Sequence, residues 1–131
     1  MRKLSTIQKR ENLNEIFTND EQGPGGAHHR YLIAKAGKLT FDDRYITADP
    51  KDILEEIVFQ RGPRRDPDAQ SGVLDADLLE IVRDRLRGFQ AGELPSEYTA
   101  EALAHVEMAL MWMNRRVKDR IERAVLGTMD K

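Results

Sequence analysis

The sequence predicts an α+β protein: a small N-terminal antiparallel β-sheet followed by a long C-terminal antiparallel helical hairpin that oligomerises. Three observations carry this prediction. Between residues 28 and 60, β-branched and aromatic runs are broken by a glycine turn. After Gly72 the apolar residues recur at helical spacing. The second helical stretch also carries more apolar surface than the first can cover.

One domain is expected over residues 1–131, in three stretches. Residues 1–22 are polar, and Leu4, Ile7, Leu13, Ile16 and Phe17 suit neither a helix nor a strand, so this segment reads as weakly structured. Residues 23–72 read as a small β-sheet region and a loop. Tyr31-Leu32-Ile33-Ala34 and Leu39-Thr40-Phe41 flank Lys35-Ala36-Gly37-Lys38, the pattern of a hairpin. A third strand is expected through Ile57-Val58-Phe59; Gly62-Pro63 stops it, and a loop runs on to Gly72.

Residues 73–131 read as the helical hairpin. Asp75 is the expected N-cap, with Leu74 packing on Leu79 as a hydrophobic staple. Leu78, Leu79, Val82, Leu86 and Phe89 share one face until Gly92 and Pro95 end the helix. Ser96 caps a second helix that should run to about Val125, where Gly127 stops it. At the helical rise the first helix spans roughly 25 Å and the second roughly 45 Å, so the second overhangs its partner. Its seam is Leu103, Val106, Leu110, Met113, Val117 and Ile121. Met108, Met111 and Trp112 form a further apolar patch off that seam, which self-association would bury.

Composition narrows the function. A chain of 131 residues, 40% hydrophobic and 34% charged, is ordinary for one soluble domain with a modest core. Having no cysteine, it can form neither a disulfide nor a thiolate nucleophile nor a cysteine-ligated zinc site. Arg2 and Lys3 are not followed by an apolar stretch, and no window approaches ~18 apolar residues, so the expected compartment is the cytoplasm. The net charge of −2 argues against a general polyanion binder. The basic residues are nonetheless clustered: five of the nine residues from Arg115 to Arg123 are Arg or Lys, and Arg61, Arg64 and Arg65 make a second spot. A small, locally held anion fits that distribution.

Catalytic candidates are few. The histidines are His28, His29 and His105. Adjacent His28 and His29 would point to opposite faces of a strand and cannot share a metal, and His105 reads as facing a helix interface among Ala104, Val106 and Ala109. No catalytic residue, metal site or cofactor is expected. Gly23-Pro24-Gly25-Gly26-Ala27 can offer backbone N–H groups to an anion, but lacks the Lys-Ser/Thr of a nucleotide-triphosphatase loop, and a flexible entry to the first strand is the commoner explanation. Arginines at Arg61, Arg64 and Arg65 suit phosphate forks, although a solvated loop is the commoner reading. Arg116, Arg120 and Arg123 share a stripe that also complements the helix dipole. Phe89 and Thr99 flank the hairpin turn, where a ring and a polar neighbour can hold a base; Phe89 also reads as a last core residue.

Taken in order, Gly23-Pro24-Gly25-Gly26-Ala27, Phe59-Gln60-Arg61-Gly62-Pro63, the run from Leu78 to Leu86, Phe89-Gln90-Ala91-Gly92, Ala109-Leu110-Met111-Trp112, the run from Arg115 to Arg120 and Gly127-Thr128 resemble the phage Thoeris anti-defence proteins. These share their helical hairpin domain with the anti-CBASS cyclic-nucleotide sponges. The resemblance implies a non-enzymatic protein that sequesters glycocyclic ADP-ribose signals, with relatives that also hold cyclic di- or trinucleotides at separate pockets. It implies dimers, or hexamers built from dimers, acting in the infected cell's cytoplasm, with no membrane or nucleic-acid partner.

Residue by residue, the resemblance assigns base stacking to Phe89 and phosphate binding to Arg64 and Arg116. It places Thr99 where the family has an asparagine, and the family's closing Gly-Val-Glu-Gly-Thr appears as Ala124-Val125-Leu126-Gly127-Thr128. Gly25, Gly26, Ala27 and Arg120 are the candidates for a second pocket. The alternatives are an enzyme that cleaves the same signals and a structural or nucleic-acid-binding phage protein using the basic stripe.

Overall fold

Four strands in the order β1-β2-β3-β6 form the main sheet of the computed structural model, which describes residues 1–41 and 46–131. They are β1 (Arg2–Lys3), β2 (Asn14–Thr18), β3 (Arg30–Lys35) and β6 (Ile53–Val58), all antiparallel. A separate two-stranded ladder pairs β4 (Thr40–Phe41) with β5 (Ile46–Thr47). Two helices follow, α1 (Asp75–Ala91) and α2 (Glu97–Glu122). The residues cluster into two compact units, Met1–Gly62 with Gln70–Gly72 and Pro63–Ala69 with Val73–Lys131.

The sheet unit is built on strand alternation. On β3, Leu32 and Ala34 point inward, and Phe17 of β2, directly opposite Leu32, is 2% exposed. Leu39 completes the core, with Ala48 and Ile53 packed against it. On β3 and beyond β6, Tyr31 meets Phe59 edge-on at 5.7 Å between ring centres.

Two expectations are corrected here. Residues 1–22 are not uniformly weak, since Asn14–Thr18 is an inner strand of the sheet. Exposed Ile7 and Leu13 blur the period locally, and the strand is specified by its long-range partner β3. The expected hairpin between residues 31–34 and 39–41 does not form. Both edges of β3 are taken by β2 and β6, and the turn after it is fastened to β2 instead. Ala36 N–H donates to the Leu13 carbonyl at 2.9 Å, and Gly37 N–H donates to Glu15 Oε1 at 2.6 Å. The third strand reaches further upstream than residues 57–59, and Phe59 follows it with its N–H on the His29 carbonyl.

Two carboxylates pin this unit. The Gly37 N–H and then Lys3, 2.9 Å away, hold the Glu15 carboxyl below its ordinary range. Burial pushes Asp20 up, but the N–H groups of His29 and Arg30 and the His28 ring outweigh it and leave that carboxyl lowered too.

In the helical unit the first cap comes from a different residue than the sequence suggested. Leu74, not Asp75, is the N-cap: its carbonyl accepts from Asp77 N–H at 3.0 Å and its own N–H donates to the Asp77 carboxylate at 2.8 Å. Ser96 caps α2 as expected, its Oγ accepting from Thr99 N–H at 3.0 Å. Across the hairpin Arg83 bridges to Glu107 at 2.8 Å. Among the described residues no side chain of α1 is buried, and in α2 Arg120 alone is. Met111 is 71% and Trp112 70% exposed. His105, expected at a helix interface, is exposed within this chain, and its ring bonds the Glu101 carbonyl of its own helix.

The second helix ends at Glu122, earlier than Val125, because Ala124 takes the left-handed conformation at φ 56°. Val125 N–H then donates back to the Arg120 carbonyl at 2.9 Å. Arg120, 9% exposed, donates from Nη2 to the carbonyls of Val125 at 2.9 Å and Thr128 at 3.1 Å. Its guanidinium thus satisfies carbonyls of the chain leaving the helix. That returning segment binds the loop at Pro63–Ala69, since Arg65 N–H donates to the Gly127 carbonyl at 3.0 Å. Gly127 has φ 77°, and a Cβ there would lie 3.2 Å from Arg65 Cγ.

These contacts set three measurable outcomes. Because the Glu15 carboxyl is lowered in the fold, its stabilisation is full above its ordinary value of 4.5 and is lost as pH falls through the folded value. Glu15→Gln should therefore flatten the acid limb of stability in urea titrations and remove about 1 kcal/mol at neutral pH. A Cβ at Gly72 would sit 2.4 Å from the Phe59 carbonyl carbon, so Gly72→Ala should destabilise by about 1–3 kcal/mol in the same titration. Arg120→Met strands two carbonyls and should lower the melting temperature, at about 1.5–3 kcal/mol.

Candidate functional site

The hairpin turn presents an aromatic end. Phe89 lies two residues before the end of α1 and is 50% exposed, so it is not a buried core residue. The Arg85 guanidinium, one turn earlier, rests over its ring with Cζ 5.4 Å from the centroid. The turn itself is tied across: Gln90 Oε1 accepts from Ser96 N–H at 2.9 Å. Thr99 is half-buried, and its hydroxyl is 3.0 Å from Ser96 Oγ. Phe89 and Thr99 therefore flank one short, internally bonded turn, and the Thr99 oxygen accepts from the Ser96 hydroxyl of the cap.

The other end of α2 is basic. Arg116 is exposed, and Arg64 is held on the loop that Gly127 fastens beside the helix terminus. No carboxylate pairs with Arg64, Arg65, Arg115 or Arg116 among the described residues, in contrast to Arg83 with Glu80 and Glu107 and Arg123 with Asp119. Unpaired guanidiniums on a loop and a helix end can grip a phosphate with forked hydrogen bonds. Arg120 differs from its neighbours on the stripe: it is buried and bonded to its own chain.

Within one chain these two ends do not meet. Thr99 and Arg116 are both on α2, and their separation along the helix is about 25 Å. The structure brings Phe89 to Thr99 and Arg64 to the end of α2 that carries Arg116, but not the pairs to each other. A groove of about 560 Å³ runs between the helices, lined among others by Ala76, Glu80, Arg83, Leu110, Met113 and Val117. It is a poor anion site, because Arg83 is neutralised by Glu80 and Glu107 and the remaining wall is mostly apolar.

The glycine loop is part of the sheet unit. Pro24–Gly26 forms a single 3-10 turn, closed by Gly23 N–H on the Ala27 carbonyl at 2.9 Å and Gly26 N–H on the Gly23 carbonyl at 3.0 Å. Gly25 and Gly26 have φ of 76° and 83°, and both are exposed with Ala27. Nearby, His28 Nδ1 lies 2.9 Å from the Asp20 carbonyl, so it carries the proton, with the Asp20 carboxylate 3.2 Å away. Asp20 was not singled out from sequence; only its position before the glycine run could have marked it. The described hydrogen bonds place no serine or threonine hydroxyl on His28, and no group of three metal-ligating side chains occurs among the described residues. Nor is any described helix long and apolar enough to cross a membrane.

Comparison with known proteins matches the sequence to a family. Residues 51–118 match the family described as the Acb2/Tad1 hairpin domain. Phe89, Thr99, Arg64 and Arg116 all fall inside that stretch, while Gly25, Gly26, Ala27 and Arg120 fall outside it. Over 129 residues the chain is 32% identical to Thoeris anti-defense 1 of Bacillus phage SBSphiJ7, covering 89% of this chain and 90% of that protein. With its hairpin, its aromatic turn and its basic helix end, the chain belongs to the Acb2/Tad1 hairpin family, which includes the phage Thoeris anti-defence protein.

Proposed function

We propose that the protein is a phage anti-defence sponge: it binds a nucleotide second messenger, a cyclic ADP-ribose isomer of the Thoeris type, and withholds it without breaking it. The observation that carries this reading is the division of the hairpin into an exposed aromatic end and an unpaired basic end about 25 Å apart. Sequestration needs a stacking surface and arginine forks, and no general base. One small nucleotide cannot span both ends, so the site is shared between copies.

A two-fold pair of hairpins satisfies this. In an isologous antiparallel pair, residues equidistant from the axis face each other. The midpoint between Thr99 and Arg116 falls at residues 107–108, beside the exposed patch of Met108, Met111 and Trp112. An axis there covers the patch and sets Phe89 and Thr99 of one copy level with Arg116 and Arg64 of the other. Each dimer then has two equivalent sites, and further association of dimers gives a hexamer. Gly25, Gly26 and Ala27, whose exposed backbone can meet an anion, are the candidates for a second pocket taking CBASS cyclic oligonucleotides, whereas Arg120 is buried and bonded to carbonyls of its own chain. The setting is the infected host's cytoplasm.

Enzymatic cleavage of the same signal is the competing reading, favoured only by the Asp20–His28 contact. The ligand's fate decides between them. Glycocyclic ADP-ribose incubated with the protein should be recovered intact by chromatography after denaturation, and a lasting product would refute the sponge. Phe89→Ala should weaken binding by about 1–3 kcal/mol and Arg116→Ala by a similar amount, with the assembly unchanged by light scattering. Mixing the two variants should restore part of the binding, because each mixed dimer regains one complete site. If subunits exchange and no binding returns, the shared site is wrong.

A further inference from the structure

At the aromatic end, Arg85 is a cation without a carboxylate. Its helical neighbours at three and four residues are Ile81, Val82, Gly88 and Phe89, none of them acidic, and no ion pair reaches it among the described residues. Its guanidinium instead covers one face of the Phe89 ring. Beside this pair stands Gly88, in the helix interior, where glycine weakens a helix relative to alanine. No neighbour in the chain requires that glycine, since a Cβ there would meet nothing within 4 Å. Arg85, Gly88 and Gly92 fall on one stripe of α1, so bare backbone flanks the stacked pair.

From this arrangement, and resting on the nucleotide-binding reading above, we infer that Arg85 is a ligand-binding residue that supplies the charge of the aromatic end. The guanidinium holds one face of Phe89 and leaves the other to a base. Its N–H edge meets the ligand's phosphate oxygens across the open backbone at Gly88. This role falls to Arg85 because the Thr99 oxygen accepts from Ser96 Oγ, which leaves position 99 a neutral hydroxyl donor and no charge to offer a phosphate. The contact is ionic and planar, which sets it apart from a merely structural stem.

Calorimetry of the full chain with the glycocyclic ADP-ribose isomers tests this at low and high salt. Arg85→Gln should weaken binding about tenfold, and the loss should shrink as salt screens the charge. Arg85→Lys should recover part of the affinity but not all, since the ammonium keeps the charge and loses the planar stack. Gly88→Ala should raise the melting temperature by a few degrees while weakening binding, because the added methyl narrows the approach. If Phe89→Leu abolishes binding and Arg85→Gln matches the native protein at every salt concentration, the role of Arg85 is overturned and the shared site stands. If neither substitution changes the affinity, the shared site itself fails.

Discussion

A two-helix hairpin has only one internal seam, and everything outside that seam must find another partner or stay wet. Here the seam residues Leu103, Val106, Leu110 and Met113 are half-buried, while Met108, Met111 and Trp112 on other faces of α2 remain in solvent. A contiguous apolar patch of this kind marks an interface. The length mismatch sharpens the point, since α1 has 17 residues and α2 has 26. The part of α2 beyond its partner carries Arg116, Val117 and Ile121, so the basic end and the unburied end are the same place. Charge and exposed apolar surface therefore coincide at that end of α2.

The overhang keeps its shape through Arg120. A helix terminus leaves carbonyls without partners, and the guanidinium answers two of them on the departing chain while its own burial leaves few alternatives. The left-handed Ala124 is a strained choice where glycine is the usual residue, tolerated because the returning segment is tied both to Arg120 and to the loop carrying Arg64. The position of Arg64 therefore follows from a helix cap. The phosphate-gripping candidate and the structural arginine are different residues on adjacent elements, and sequence spacing alone put them on equal terms.

Period and punctuation were enough for the hairpin. Leu78, Leu79 and Leu86 are half-buried on α1, whereas Val82 and Phe89, expected on the same face, are exposed, and Ser96 caps α2 as its type dictates. The sheet was harder to read because its information is non-local. Phe17 is specified by Leu32 across β2 and β3, and nothing within residues 1–22 announces that pairing. The hairpin expected after Gly37 failed for a related reason: the turn is of the right kind, but Glu15, far away in sequence, captures its N–H. At the candidate site, residue types were legible and their spatial grouping was not. Arg64, Phe89, Thr99 and Arg116 could be named from the sequence, whereas their division into two remote ends required the length of α2.

Thr99 shows how one exchange can move recognition without moving the fold. An asparagine at that position can offer a donor and an acceptor to a base edge, while threonine at the third position of a helix bonds readily to the N-cap hydroxyl. Its oxygen then accepts from the cap and ties the turn, which leaves the side chain a single donor where an asparagine amide would present both a donor and an acceptor. On the proposed reading a base would still stack on Phe89, whose ring is half exposed, and discrimination would rest on shape and charge, the terms that an arginine over an aromatic ring supplies. If the protein withholds its ligand without altering it, as proposed, it needs no more than this, because tight closure around a charged guest, and not the orientation of a scissile bond, would decide how well it works.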